Sequence, residues 1–102
     1  MVYALARAGR PSVAGIVDSL RDDKLAPQAM VYLVEMGDSA VPTLTQSMRD
    51  QDVVVRERVA MVLGLIGSPQ AIGSLESVPQ DPDVRVQRAV ERAIARARMP
   101  TR

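Results

Sequence analysis

One apolar template recurs along this chain about every 30 residues, and that recurrence excludes most folds. Val55, Val59, Val62, Leu63 and Ile66 stand at steps 0, 4, 7, 8 and 11 of a run, and Val86, Val90, Ala93, Ile94 and Ala97 repeat those steps 31 residues later. Leu25, Ala29, Tyr32, Leu33 and Met36 precede them at the same steps, while Met1, Ala4, Leu5 and Ala8 fit the last four, as if the chain began partway through a unit. These are the steps of a helix that buries one stripe. A period of this length marks a solenoid of stacked units, each hiding its stripe against its neighbours. The expected fold is all-α.

A second set of segments lies between the template helices. Val13, Ile16, Val17 and Leu20 match Val41, Leu44, Thr45 and Met48 at steps 0, 3, 4 and 7, as short amphipathic helices would. A third copy opens with Ile72 and Leu75 but then meets Glu76 and Pro79, so it is expected to stop early. The punctuation agrees. Gly9, Gly37 and Gly67 each follow a template helix, where a left-handed residue closes the last turn. Ser68 before Pro69 and Asp81 before Pro82 read as helix starts, a capping oxygen followed by a proline whose missing N–H has no helical partner to lose. Asp22, Asp23, Asp50, Asp52 and Asp83 gather at the other helix starts, where carboxylates meet exposed amides and the positive end of the helix dipole. The spacing thus predicts seven helices, at about 2–8, 12–21, 25–36, 40–49, 53–66, 70–78 and 83–98.

Composition narrows the chemistry. The 102 residues suffice for one domain with a modest core, 47% of them apolar but with neither Phe nor Trp, so Val, Leu, Ile, Met and Ala must fill the interior. Without Cys or His, thiolate nucleophiles, imidazole bases, disulfides and the usual zinc ligands are excluded. The uncharged stretch Val59 to Gln70 is too short to span a bilayer, and no leader of useful length precedes Arg7 and Arg10. A soluble, cytoplasmic protein is the expectation.

At residues 52–81 the chain resembles a known family, the HEAT-like repeats of the short, phycobilin-lyase-like type. The match rests on Asp52, Val55, Arg56, Ala60, Leu63, Gly64, Ile66 and Gly67, followed by Ala71, Ile72, Leu75 and Asp81. Leu33, Met36, Gly37, Asp38, Ala40, Val41, Pro42 and Leu44 carry a weaker version. Ala26 and Gln87 depart from it where Arg56 stands, and the last helix lacks the Leu-Gly step, as an end cap would. The resemblance implies a right-handed α-α superhelix of about three helical hairpins in a single domain over 1–102. Its units fall at about 1–22, 23–50 and 51–81, with a capping helix at 82–98. It also implies that Arg56 pairs with loop aspartates in a structural role.

In the resembled family the template helices line a concave surface whose variable positions contact partners. Register carries those positions onto Tyr3, Arg7, Val31, Glu35, Val54, Glu57, Met61, Leu65, Arg85, Arg88, Arg92 and Arg96. The last four lie within about 80° of one another on a helix. Residues 82–102 hold six Arg against Asp83 and Glu91, a balance of +4, whereas residues 1–81 hold seven basic and ten acidic residues, a balance of −3. Such a stripe either grips carboxylates or phosphates or keeps an outer face solvated. Met61 and Leu65, apolar but off the packed stripe, either meet a partner or pack on a neighbouring helix or a second copy.

Three functions follow as expectations. The first is a non-enzymatic scaffold that binds a partner protein in its groove and needs no cofactor. The second is binding of nucleic acid or another polyanion along the Arg-rich last helix, although only Tyr3 and Tyr32 could stack on bases. The third, by analogy alone, is bilin-lyase-like activity with Glu35 and Glu57 as a carboxylate pair. The short opening helix also leaves an edge on which a second copy of the chain is expected to pair, unless the chain is a fragment of a longer array.

Overall fold

The computed structural model describes residues 12–99. Helix α4 (Val53–Ile66) sits at its centre and shows why the template works. Val55, Val59, Ala60, Val62 and Leu63 are all fully buried, too wide an apolar arc for a helix packed on one side only. Helix α2 (Ala26–Met36) covers one flank of α4, α6 (Val84–Arg98) covers the other, and the short helices α3 (Val41–Ser47) and α5 (Pro69–Ser77) lie behind. Helix α1 (Val13–Asp18) runs into a 3-10 turn at Ser19–Arg21 and packs on α2 and α3.

Long helices therefore meet long ones in the order α2, α4, α6, and short ones meet short ones in the order α1, α3, α5. A single buried cluster joins them, from Ile16 and Leu20 through Leu33, Leu44, Leu63 and Leu75 to Val86 and Val90. Truncating one of its fully buried leucines to Ala would cost about 2–5 kcal/mol. Helix α6 buries only Val86, Val90 and Ala93. The template weakens there, since Ile94 is half-buried and Ala97 exposed.

Helix boundaries follow local chemistry. Asp52 caps α4 by accepting the Val54 amide at 2.9 Å, and Ser68 caps α5 by accepting the Ala71 amide at 3.1 Å. Gly67, at φ 65° and ψ 7°, closes α4 with its N–H donated to the Leu63 carbonyl. Helix α5 ends where Val78 turns extended ahead of Pro79, as the ring of a following proline requires.

Several expectations need correction. The described residues hold six α-helices rather than seven, five of them at least seven residues long. The expected helix at 2–8, with Gly9, lies outside the described residues. Asp81 does not cap the last helix. Asp83 does, accepting the Arg85 amide at 2.8 Å, while Asp81 accepts the Asp83 amide and an arginine from another helix. Gly37 is not left-handed in the ordinary sense, since its φ of 61° comes with ψ −135°. From there the chain enters a second 3-10 turn, Gly37–Ala40, before α3.

Candidate functional site

Two polar systems and one groove stand out. The first polar system binds successive helical pairs to one another. Arg56 Nε donates to Asp81 Oδ2 at 2.8 Å, and its Nη1 donates to the Asp50 carbonyl at 2.8 Å. Arg21 donates to Asp18 in its own turn at 2.8 Å and reaches forward to Asp50 at 3.1 Å and Asp52 at 3.4 Å. The Asp52 amide holds the Asp50 carboxyl below its ordinary range, with burial opposing it and Arg21 adding to the lowering. Arg58 donates to the Leu20 carbonyl at 2.6 Å and to Asp23 at 2.8 Å. Asp18 is a local partner of Arg21, three residues away, but nothing in the apolar template signals its other partners or those of Arg58, because those pairings bridge 29 to 38 residues of chain.

The second system comprises hydroxyls with the period of the repeat. Thr45 meets Ser74, and Ser68 donates to Asp38. These pairs, 29 and 30 residues apart, tie α3 to α5 and the turn after α2 to the start of α5. Both systems are structural ties between layers.

The groove lies between α4 and α6 and has a volume of about 320 Å³. Its floor is Gly64 and Ala93, one wall is Glu57, Met61 and Leu65, and the other is Arg85, Ala89, Arg92 and Arg96. Met61 is 44% exposed and Leu65 47%, so two large apolar side chains face solvent side by side, one helical turn apart. Arg85 leans back on its own cap, Asp83, at 3.4 Å. The Arg85 amide, and then its side chain, keep the Asp83 carboxyl ionised below the usual range. Among the described residues Glu57, Arg92 and Arg96 form no ion pair.

The positions selected by register divide accordingly. Glu57, Met61, Leu65, Arg85, Arg92 and Arg96 come together in the groove. Arg88 is exposed but outside its lining. Val54 is half-buried at the first turn of α4. Val31, 58% exposed, and Glu35 lie on α2, away from the groove walls. Tyr3 and Arg7 fall outside the described residues. The groove's close floor, at Gly64 against Ala93, is the feature that register did not reveal.

Residues 14–95 match the family model described as HEAT repeats. The chain belongs to the HEAT repeat family. That match spans α1 to α6 and agrees with the alternation of long and short helices. No curated protein matched the chain. HEAT repeats generally serve as protein-interaction scaffolds, and among the described residues no helix of this HEAT repeat chain is long and apolar enough to cross a membrane.

Proposed function

We propose that this HEAT repeat protein is a non-enzymatic interaction module that docks a partner protein in the groove between α4 and α6. In this reading the hairpins α2–α3 and α4–α5 correspond to the units at 23–50 and 51–81, piled as a right-handed superhelix with the groove on its concave side. Long-on-long and short-on-short packing supports that arrangement. The observation that carries the reading is the exposure of Met61 and Leu65 together, at 44% and 47%, beside arginines without ion partners among the described residues. Adjacent exposed apolar groups with a polar rim mark interaction surfaces.

Polyanion binding along the whole last helix has less support, since Arg85 is engaged by Asp83 and Arg98 by Glu76. The bilin-lyase reading is weaker still, because Glu35 does not line the groove that holds Glu57.

The test is affinity capture on the intact chain and on exposed-site variants. Met61→Glu with Leu65→Glu is expected to lose the proteins that the parent retains, while Arg88→Glu, outside the groove, keeps them. If the groove variant retains the same proteins as the parent, the partner binds elsewhere.

A further inference from the structure

The groove is charged unevenly, and that asymmetry selects a class of partner. Arg92 and Arg96 are exposed, four residues apart on one face of α6, and without an ion partner among the described residues. Their Cα atoms are separated by about 6 Å along the helix axis. Met61 and Leu65 stand opposite on α4 with the same four-residue spacing, and Gly64 and Ala93 keep the floor between them shallow. A segment lying along the groove thus meets two methyl-rich contacts on one side and two guanidinium forks on the other.

Resting on the reading of the groove as a docking site, we infer that its occupant is an acidic amphipathic segment of a partner protein, with apolar side chains against Met61 and Leu65 and two carboxylates on Arg92 and Arg96. Carboxylates about 6 Å apart are what positions i and i+4 of a helix present. Guanidinium groups grip carboxylates through paired hydrogen bonds, which gives geometric selectivity as well as attraction. The apolar wall distinguishes this occupant from a nucleic acid, whose phosphates would use the arginines and leave Met61 and Leu65 idle. Glu57, on the Met61 wall, repels acidic groups placed on the wrong side and so fixes which face of the segment turns toward α6.

A random-peptide display library selected on the full chain tests this. Recovered peptides are expected to carry two or more Asp or Glu beside apolar residues, and to bind at least about tenfold more weakly to Arg92→Glu with Arg96→Glu and to Met61→Glu. Added salt is expected to weaken binding to the parent chain. The charge-reversed chain, selected afresh, is expected to favour Lys and Arg. Neutral or basic peptides that still require Met61 would overturn the acidic partner while leaving the groove as a docking site. Peptides indifferent to Met61, Arg92 and Arg96, or no binders at all, would overturn both. A random 20-mer DNA that binds through Arg92 and Arg96 but tolerates Met61→Glu would make the occupant a nucleic acid. A parent dimer that Met61→Glu converts to monomer in sedimentation would make it a second copy of the chain.

Discussion

Arg56 and Asp81 form a two-pronged ion pair that fastens the start of α4 to the loop ahead of α6, with Nε to Oδ2 at 2.8 Å and Nη2 to Oδ1 at 3.3 Å. The two side chains are only 14% and 10% exposed, so neither charge regains full hydration if the other is removed. Asp81→Ala is therefore expected to lower the unfolding free energy by about 2–4 kcal/mol, near the range for breaking a desolvated pair. Replacing both partners together, as Arg56→Met with Asp81→Leu, should cost less than the two single changes summed. Urea denaturation of the four proteins in this cycle checks it. A loss below about 0.5 kcal/mol for Asp81→Ala would place the pair among ordinary solvated surface bridges.

Gly64 sets how closely α4 and α6 approach. A Cβ placed on it would lie 2.5 Å from Ala93 Cβ and 3.2 Å from Ala93 Cα, well inside the contact distance of carbon atoms. Gly64→Ala gains about 1 kcal/mol of helix propensity but forces an overpacked contact costing about 1–3 kcal/mol. A net loss of stability is expected. Ala93→Gly in the same chain removes the nearer clashing atom and should recover part of it. Strictly additive effects in chemical denaturation would show that the two residues do not share the contact.

The residues differ in how openly they declared these roles. The template marked Leu33, Val55, Leu63 and Val86 as core because helical periodicity and burial depend on the same geometry, and all four are fully buried. Exposure at Met61 and Leu65 was legible for the same reason, as the positions left over once the stripe is assigned. Helical register places Arg88 with Arg85, Arg92 and Arg96 of α6 but says nothing of how α6 leans on α4. The groove is lined by Arg85, Ala89, Arg92 and Arg96, a line on the helix that leaves Arg88 outside. Asp81 misled because an Asp-Pro pair is a sound capping signal locally, yet the bidentate hold of Arg56 occupies its carboxylate and Asp83 takes the cap. Arg58 and the long-range partners of Arg21 carry no local signal, since they depend on the packing of segments distant in the chain.

Gly37 and Gly67 both have positive φ, and their different ψ predicts different tolerance. Gly67 lies in the left-handed well at φ 65°, ψ 7°, where Asn is acceptable and Ala costs about 1 kcal/mol. Gly37, at φ 61° and ψ −135°, lies near a region almost closed to side chains. No atom within 4 Å would obstruct a Cβ there, so its cost is one of backbone alone. Gly67→Asn should be close to neutral, whereas Gly37→Asn should lose about 1–3 kcal/mol. Equal thermal shifts for the two variants would contradict the assignment.

Acid should loosen this protein through a small set of carboxylates. Asp50 is held below its ordinary range first by the Asp52 amide and then by Arg21, and Asp83 by the Arg85 amide and then by the Arg85 side chain. Arg21, its own pKa raised first by Asp18 and then by Asp50, stays charged throughout. Because the folded chain prefers both carboxylates ionised, the unfolded chain binds more protons across their titration, and stability rises with pH there. The contribution is fully present above the ordinary aspartate range near pH 4 and disappears as pH falls through the lowered folded values. Melting temperature is thus expected to hold from about pH 7 to 5 and to drop on acidification below about pH 4. Asp83→Asn keeps an oxygen for the Arg85 amide but no longer titrates, so its curve should fall less steeply. Salt should screen the Arg21 part of the effect and leave the part owed to backbone amides. A melting temperature that does not fall on acidification below about pH 4 would show that neither carboxylate's ionisation is linked to folding.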